Sequence, residues 1–343
     1  MPHSRPELRI GTRGSQLALW QANAVAARIA ETGGPPCRIV TIRTTGDRLQ
    51  EAPLSDVGGK RLFVKEIEDA LLRHEIDLAV HSSKDMPAIL PEGLTIPAVL
   101  AREDPLDAIV VSGFSRTLTT IEDVVTVLGQ SPVIGTGSVR RIAQLTRLLP
   151  GARFSPVRGN LDTRLRKLDG GDYDALVLAA AGLRRLGFVS RISMALPAAA
   201  CVPAPGQGIV AIEIREQDDE VRRVVARIDD PWAAAALNAE RALVASLGGG
   251  CQTPIGALAT PVEGDVLELV AAVVSLDGSR AVRRQRRGQR TDAAALGAQV
   301  AAELIEDGAG EILADARSHQ ATADSRQSNV ADLRAIAMTD ADD

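Results

Sequence analysis

Short apolar strands alternate with amphipathic helices through the first two-thirds of the chain, and this alternation limits the possible folds most strongly. Arg9–Gly11 is typical of a strand end, and Gln16–Glu31 has apolar residues at helical spacing. Cys37–Arg43 alternates and is rich in β-branched residues, Leu62–Arg73 has one apolar side, and Asp77–His81 is typical of a short buried strand. Strands that alternate with helices in this way predict parallel βαβ units.

The same order of elements recurs after Asp107. A helix and three strands are predicted, over Val139–Leu149 and over Ala108–Val111, Val133–Thr136 and Asp174–Leu178. The segments Ile10–Ser15 and Ile134–Ser138 also resemble each other, which is compatible with two similar α/β lobes that face one cleft. The alternative is that Gly-Thr-x-Ser is simply a common sequence where a strand leads into a helix.

The pattern changes past Pro231. A helix is followed by three strands and a second helix, over Trp232–Leu247, Ile255–Thr260, Val266–Val274, Ala281–Arg287 and Asp292–Glu306. A run of strands flanked by helices predicts a small α+β domain. From about Ser318 the chain is polar, which predicts a disordered tail.

The chain is acidic overall and poor in aromatic side chains. Its 343 residues carry 39 Lys and Arg against 44 Asp and Glu, a formal net charge of −5, and 2% of them are aromatic. Proteins that bind nucleic acids attract phosphate with basic surfaces and stack bases on aromatic rings, so the composition argues against a nucleic-acid partner. The length allows two or three domains.

Several features predict a cytoplasmic protein without a membrane segment. The start of the chain lacks the apolar region of a secretory signal, and the longest apolar stretch, Ala175–Leu183, is too short to cross a bilayer. The three cysteines, Cys37, Cys201 and Cys251, are far apart, and their odd number argues against a disulfide framework. No Cys/His cluster has the spacing of a zinc site, so no metal is expected.

Cys251 lies in a glycine-rich loop, Gly248–Gly256, with Pro254 after it. Three successive glycines permit positive φ and a close approach of the backbone to another group, at a cost in backbone entropy. A small buried thiol beside a glycine turn is one explanation. The loop setting favours the other, in which Cys251 is an attachment point or a nucleophile.

Arginines follow successive strand-to-helix turns. They are Arg13, Arg140, Arg141 and Arg158, with Arg164 and Arg166 in the next predicted helix. Helix N-termini offer free N–H groups, and guanidinium groups bind carboxylates through two hydrogen bonds. A single arginine is more often a surface residue, but the set together predicts a polyanionic ligand in the cleft at the strand ends.

The segment His81–Asp85 follows a buried strand, which would place Lys84 and Asp85 in the same crevice. A carboxylate among cationic groups can stabilise a cationic intermediate or transfer a proton. Taken alone, Asp85 could instead cap a turn, with Lys84 in solvent.

Two other glycine-rich segments lack the features of nucleotide-binding loops. Gly58–Arg61 lacks the leading glycine and the Ser or Thr of a phosphate loop, and Gly135–Arg140 lacks the third glycine of a dinucleotide fingerprint. These absences argue against ATP and NAD as ligands. The arginine-rich segment Arg280–Arg290 is predicted to be a solvent-exposed strand edge rather than a binding patch.

Eight segments together resemble the porphobilinogen deaminase family, whose members are also called hydroxymethylbilane synthases. The resemblance covers about Leu8–Arg317, with the motifs in the family order. The segments are Gly11–Ala18, Gly59–Glu66, His81–Pro87, Arg102–Ala108, Ser138–Arg141, Arg158–Leu165, Pro205–Gly208 and the loop around Cys251.

This resemblance implies an α/β fold of two lobes like those of periplasmic binding proteins, followed by a small α+β domain at the C-terminal end. It implies that residues 5–102 with 207–227 form the first lobe and that 103–206 form the second. Residues 231–317 are expected to be the cofactor-attachment domain, and 318–343 the disordered tail.

The resemblance also implies the chemistry. A dipyrromethane cofactor made from substrate is expected on the loop cysteine, here Cys251, through a thioether. Four porphobilinogen molecules are then joined head to tail with loss of ammonia, and hydrolysis releases linear hydroxymethylbilane. Each porphobilinogen carries an acetate and a propionate, which would account for the arginines. Loss of ammonia leaves an electron-poor azafulvene, and Asp85 is expected to stabilise that developing cation.

The remaining site residues are assigned by the same resemblance. Cofactor binding is expected from Lys84, Asp85, Ser138, Arg140, Arg141 and Arg158. Substrate binding is expected from Arg13, Ser15, Phe63, Arg164 and Gln207. Asp47–Lys60 is expected to form a mobile lid.

The chain departs from the family pattern at two residues and in its tail beyond Arg317, which is longer than the motif region requires. Gly137 stands where many relatives have serine, and Arg61 replaces a frequent glycine. A monomer is expected, with porphobilinogen as the substrate and uroporphyrinogen-III synthase as a possible downstream partner. Two other functions stay open at this point, a two-lobed carboxylate-binding protein and a cysteine hydrolase that pairs Cys251 with His81.

Overall fold

The computed structural model describes residues 5–48, 64–113, 117–250 and 253–319. Its strands are β1 (Leu8–Thr12), β2 (Cys37–Thr41), β3 (Leu78–Ser82), β4 (Leu94–Val99), β5 (Asp107–Val111), β6 (Val133–Gly135), β7 (Arg153–Ser155), β8 (Ala175–Ala179), β9 (Met194–Leu196), β10 (Val210–Arg215), β11 (Ile255–Pro261), β12 (Val266–Val274) and β13 (Ala281–Gln289). Its helices are α1 (Gln16–Glu31), α2 (Thr45–Arg48), α3 (Lys65–Leu72), α4 (Ile121–Leu128), α5 (Val139–Leu148), α6 (Leu161–Asp169), α7 (Ala180–Arg185), α8 (Asp219–Val225), α9 (Pro231–Ser246) and α10 (Ala293–Glu306).

The first sheet has the strand order β2-β1-β3-β10-β4. β1 runs parallel to β2 and β3, and β10 runs antiparallel to β3 and β4. The sheet is apolar where α1 and α8 pack on it, with Ile10, Ile29 and Ile212 fully buried. The predicted parallel βαβ units are therefore present in β1, β2 and β3. The sheet as a whole is mixed, because β10 returns from the second half of the chain and enters in the opposite direction.

The second sheet repeats this design with the order β7-β6-β8-β5-β9. β6 runs parallel to β7 and β8, and β5 runs antiparallel to β8 and β9. β1 and β6, which carry the two similar Ile-Gly-Thr segments, thus occupy the same position in their sheets. The prediction of two similar α/β lobes is confirmed.

The third sheet is antiparallel, with the order β11-β12-β13, and α9 and α10 pack against it and against each other. Leu243, Leu269 and Val300 are fully buried in this core. The small α+β domain is confirmed. A further helix covers 309–319, so residues 318 and 319 are helical rather than disordered. The rest of the predicted tail lies outside the described residues.

Two crossover segments join the lobes, β4 to β5 and β9 to β10, and they pass close to each other. Gly206 and Gly208 have φ of +73° and +88°, a conformation that favours glycine. A Cβ on Gly208 would lie 2.3 Å from the Glu103 carbonyl oxygen, and one on Gly206 would lie 2.6 Å from Ser83 Oγ. The Pro205–Gly208 motif therefore lets the second crossover pass against the first and against the end of β3.

Candidate active site

A cavity of about 90 Å³ lies where the two lobes and the third domain meet. Its lining includes residues from all three parts, among them Ser83, Lys84, Ser138, Arg140, Arg241, Gly250 and Thr253. Gly250 and Thr253 flank the two residues, Cys251 and Gln252, that lie outside the described ranges. The cavity is thus bordered by both sides of the cysteine loop and by the first-lobe turn that follows β3.

That turn is a short 3₁₀ helix, Ser83–Asp85, at the carboxyl end of the buried strand β3. Lys84 Nζ lies 3.5 Å from Gln207 Oε1 on the second crossover. Burial lowers the pKa of Lys84 to about 8; Asp85 acts in the opposite direction, and the Arg140 and Arg141 charges lower the pKa further. The turn places the Lys84 ammonium group at the cavity, with Asp85 next to it along the chain.

Arg140 and Arg141 are buried at the start of α5, which Ser138 caps by accepting a hydrogen bond from the Arg141 N–H at 3.5 Å. Both guanidinium groups bind Asp107, which is fully buried: Arg140 Nη1 lies 2.6 Å from Oδ2, and Arg141 Nε lies 2.9 Å from Oδ1. Burial alone would raise the pKa of Asp107, but the two arginines hold it far below its ordinary value. A buried cationic pair is therefore neutralised only in part by one carboxylate.

The described part of the cavity wall contains buried polar atoms whose hydrogen-bonding capacity is unused. Arg140 Nε and Ser83 Oγ are buried with no hydrogen-bond partner in the described part of the chain. Both residues line the cavity. Buried polar groups are normally satisfied, and an exception calls for an explanation such as an absent ligand. A polar, anionic group in this cavity fits the arrangement.

Arg13 lies in the turn between β1 and α1, where Ser15 Oγ caps the helix by accepting a hydrogen bond from the Ala18 N–H at 3.3 Å. Arg13 Nη2 lies 2.5 Å from Asp47 Oδ1 on α2. Burial would raise the pKa of Asp47, but the Arg13 hydrogen bond and charge, together with Thr44, lower it below its ordinary value. Asp47 is therefore an anchor for Arg13. The remainder of the predicted lid, 49–60, lies outside the described residues, as does Phe63.

Arg158 and Arg164 face the same region from the second lobe. Arg164 Nε donates to the Gly159 carbonyl oxygen at 2.9 Å. Burial lowers the pKa of Arg164 to about 10, and the Arg141, Arg13 and Arg158 charges act in the same direction while Asp85 opposes them. Arg158 has no hydrogen-bond or ion-pair partner among the residues that the structure describes. Asp85 thus lies close enough to influence cationic groups of both lobes.

The site carries an excess of positive charge. Its cationic side chains are Arg13, Lys84, Arg140, Arg141, Arg158 and Arg164, and its carboxylates are Asp47, Asp85 and Asp107. Like charges this close in a partly buried cleft repel one another strongly. An acidic protein therefore holds a local cationic cluster that a polyanionic ligand would neutralise.

The other cysteines are poor candidates for attachment. Cys201 is fully buried, and burial raises the pKa of its thiol to about 12. Cys37 is half-buried on β2, and burial raises its pKa as well. Because the thiolate is the nucleophile, neither residue is suited to bond formation at neutral pH.

His81 is buried within the first sheet, where it pairs with a residue of the neighbouring strand. It is 5% exposed on β3, and its Nε2 lies 3.0 Å from Glu213 Oε2 on β10, which is fully buried. His81 is thus engaged within the first sheet, and a pairing with Cys251 finds no support.

The arginine-rich strand β13 is an exposed edge, and several of its arginines form ion pairs within their own domain. Arg287 Nε lies 2.7 Å from Glu268 Oε1, and Arg284 pairs with Asp307. The predicted solvent-exposed edge is what the structure shows.

Sequence reasoning missed Asp107 and Arg241 as members of this region. Asp107 carries a weak signal, since an acidic residue directly precedes the apolar strand Ala108–Val111. Arg241 lies on α9 and donates from Nη2 to the Ala88 carbonyl oxygen at 2.8 Å. Only the packing of α9 on the first lobe brings it to the cavity.

The described ranges hold neither a metal centre nor a helix that could cross a membrane. They contain no group of three or more His, Cys, Asp or Glu side chains that could hold a metal ion. Within the same ranges, each helix falls short of the length or the apolar character needed to cross a bilayer.

Comparison with known proteins identifies the family. Residues 8–223 match the family model "Porphobilinogen deaminase, dipyromethane cofactor binding domain", and residues 234–306 match "Porphobilinogen deaminase, C-terminal domain". A porphobilinogen deaminase of Syntrophobacter fumaroxidans is 48% identical over 307 residues, which cover 89% of this chain and 96% of that one. One of Desulforudis audaxviator is 48% identical over 316 residues, which cover 92% and 99%.

Similar solved structures are more distant. The periplasmic VFT2 domain of Bordetella pertussis BvgS is 17% identical, with a TM-score of 0.38 over 65% of this chain and 86% of that one. A mutant of ArgBP from T. maritima is 19% identical, with a TM-score of 0.33 over 65% and 88%. The sheet orders above establish the two-lobed fold, and the sequence matches establish the family. The chain belongs to the porphobilinogen deaminase family, transferases that use a dipyrromethane cofactor to build hydroxymethylbilane from porphobilinogen.

Proposed function

We propose that the Ser83–Asp85 turn is the centre at which this chain condenses porphobilinogen into hydroxymethylbilane. The observation that supports this most is the convergence of cationic side chains from both lobes around one carboxylate, Asp85, next to the cavity beside the cysteine loop. A substrate with two carboxylates and a reaction that develops positive charge require both features in one place.

The cavity residues fit a dipyrromethane. When bound, this cofactor supplies the pyrrole end to which the first substrate molecule is joined. Lys84, Asp85, Ser138, Arg140, Arg141 and Arg158 are the side chains that we propose hold it. Charged donors favour carboxylates, and Arg140 Nε and Ser83 Oγ are the buried polar atoms that such a group would satisfy.

Asp85 is proposed to act on the substrate. As ammonia leaves the aminomethyl carbon, positive charge spreads into the pyrrole ring and its N–H becomes a stronger donor. A fixed carboxylate next to that N–H stabilises the charge without reorganisation of solvent. The surrounding arginines would bind the acetate and propionate groups and so orient the ring against Asp85.

Substrate carboxylates are proposed to bind to Arg13, Ser15, Arg164 and Gln207, with Phe63 against the ring. Arg13 and Ser15 lie in one turn at the N-terminus of α1, where free backbone N–H groups add to the attraction for anions. Arg164 approaches from α6 of the other lobe. A ligand held between these groups would join the two lobes.

Cys251 is proposed to carry the cofactor through a thioether. Gly250 and Thr253 border the cavity, and the burial of Cys201 and Cys37 makes those thiols poor nucleophiles. The test is intact-protein mass after expression in a host that makes porphobilinogen. The native chain and Cys201→Ala should both carry a two-pyrrole adduct, and Cys251→Ala should have the bare polypeptide mass. An adduct on Cys251→Ala would refute the attachment, and none on the native chain would refute the proposed function.

The domain limits are also proposed, as 5–102 with 207–227, 103–206 and 231–317. Strand β10 supports the first of these, because it lies in 207–227 and hydrogen-bonds between β3 and β4. We further propose a cytoplasmic monomer whose linear product passes to uroporphyrinogen-III synthase. Light scattering after size-exclusion chromatography would test the monomer, which a mass near twice 36.1 kDa would contradict.

A further inference from the structure

Asp107 connects three of the side chains proposed above. Its Oδ1 accepts hydrogen bonds from Arg140 Nη2 at 3.1 Å, Arg141 Nε at 2.9 Å and Gln207 Nε2 at 3.0 Å. Its Oδ2 accepts from Arg140 Nη1 at 2.6 Å and faces Cys201 Sγ at 3.5 Å. The carboxylate is fully buried at the start of β5, so these donors are its environment. It cannot touch a ligand directly, and any effect on the reaction must pass through its partners.

Gln207 connects Asp107 on the second lobe to Lys84 on the first lobe. Its Nε2 donates to the Pro105 carbonyl oxygen at 2.7 Å and to Asp107 Oδ1 at 3.0 Å. An amide nitrogen has two N–H groups, and both are used by these two acceptors. The opposite orientation of the amide would place its oxygen against two other oxygens. Oε1 must therefore face the cleft, where it lies 3.5 Å from Lys84 Nζ.

We propose that Asp107 is a positioning residue for Lys84, which it orients through the Gln207 amide and keeps in the ammonium form through its charge. The inference rests on the proposed function of the Ser83–Asp85 turn and adds a group outside the cleft to it. Asp107 on the second lobe thereby sets the orientation and the charge of Lys84 on the first lobe.

The charges around Lys84 show why Asp107 matters. Asp85 on the same turn and Asp107 on β5 favour the ammonium form, while Arg140 and Arg141 on α5 oppose it. Arg241 on α9 faces the same cavity from the third domain. Burial has already lowered the pKa of Lys84 to about 8, so the group is close to losing its proton near neutral pH. Without the Asp107 charge, the effect of Arg140 and Arg141 would be offset less, and the pKa of Lys84 would fall further.

Because the chain contains few lysines, the chemical labelling of Lys84 can be measured separately from that of the others. The chain has four lysines, Lys60, Lys65, Lys84 and Lys167. Only the neutral amine reacts with an acylating reagent such as acetic anhydride, so the pH dependence of labelling reports the titration of each lysine. Lys65 is exposed and serves as the internal reference for reagent reactivity. Peptide mass spectrometry reads both residues in one sample.

The experiment uses the full chain from a host that makes no porphobilinogen, so that no ligand covers Lys84. The native midpoint of Lys84 labelling is expected near pH 8. In Asp107→Asn it should fall by about one pH unit. In Cys201→Ala, which removes another neighbour of the same carboxylate, the midpoint should not move. An unchanged midpoint in Asp107→Asn, or an equal shift in Cys201→Ala, would overturn the proposal.

Asp107→Asn could unfold because it leaves two buried arginines without a counter-ion. Gln207→Met covers that case, since it retains the ion pairs and removes only the amide. Loss of the oxygen that accepts from the ammonium form should also lower the Lys84 midpoint, and an unchanged midpoint would refute the positioning through Gln207. This titration needs no turnover. It is therefore separate from the mass test, in which a native chain without an adduct would refute the proposed function.

Discussion

Glu240 on α9 forms a buried ion pair with Arg102 on the first crossover, with Arg102 Nη1 2.6 Å from Glu240 Oε1. The same carboxylate accepts from the Gly206 N–H on the second crossover and from the Ala259 N–H on β11, the latter at 2.8 Å. One side chain thus ties both crossovers to the third domain. The cysteine loop follows α9 directly, so the ion pair also fixes the cysteine-bearing domain against the lobes.

Glu240→Gln should destabilise the chain by about 3 kcal/mol, because it leaves the Arg102 charge buried without a counter-ion. Urea unfolding measures the change. Glu31→Gln is the matched control, since Glu31 pairs with Arg28 on the surface of α1, with 58% of its side chain exposed. That change should cost about 0.5 kcal/mol or less. Equal effects of the two substitutions would contradict the role of Glu240.

Asp85→Asn should keep the cofactor and lose turnover by about a hundredfold or more, because the amide cannot neutralise the charge that develops on the pyrrole. Ammonia release and bilane formation measure turnover, and intact mass measures cofactor retention. Asp172→Asn, at an exposed position before β8, should leave both unchanged. Native rates in Asp85→Asn would remove the carboxylate from the mechanism.

The titration of Lys84 makes stability depend on pH in the chain without cofactor. Burial lowers the pKa of Lys84 from 10.5 to about 8. Between these values the unfolded chain binds a proton that the folded chain has lost, so this group makes stability rise with pH across the window. Lys84→Met removes the cost of burying the ammonium group.

Urea midpoints at pH 7 and above pH 10 test this expectation. Lys84→Met should be more stable than the native chain at pH 7, and the difference should shrink at the higher pH. Lys65→Met, at an exposed position on α3, should show a difference that does not depend on pH. A constant difference for Lys84→Met would show that the ammonium group is not buried at a cost.

The cationic cluster predicts that the chain without cofactor is less stable than the loaded chain. The excess of arginines around Asp85 repel one another until a polyanion binds, and any ligand that binds only the folded state stabilises it. Thermal unfolding should show a rise of about 5 °C or more on loading. Arg158→Gln removes one positive charge, so the difference in unfolding temperature between the loaded and the unloaded chain should be smaller. Equal unfolding temperatures of the loaded and unloaded native chain would argue against the cluster as the ligand site.

Gly137→Ser should be tolerated, because the turn before α5 has room for a side chain at this position. A Cβ added at Gly137 would meet only the Val157 carbonyl oxygen, at 3.9 Å, which is an ordinary contact. At Gly135, two residues earlier, a Cβ would lie 2.5 Å from Leu176 Cδ2. Gly135→Ala should therefore cost about 1–3 kcal/mol, while Gly137→Ser should not change the urea midpoint. A large loss for Gly137→Ser would show that this turn has no room for a side chain.

The sequence by itself determined the local elements and the motif residues. The periodicity of Gln16–Glu31 and the apolar strand before Ser82 are local properties, so they predicted α1 and the position of the Lys84–Asp85 turn. The glycine loop marked Cys251, and the ordered motifs indicated the family. All of these signals depend on residues within a few positions of one another.

The tertiary structure alone decided which distant groups meet. β10 enters the first sheet beside β3, although more than a hundred residues separate them, and this places Gln207 next to Lys84. Tertiary contacts likewise determine the roles of Asp107, Arg241 and Glu240. Their partners are fixed by the two crossovers and by the packing of α9, and no local pattern encodes a contact between segments that the chain brings together only when it folds.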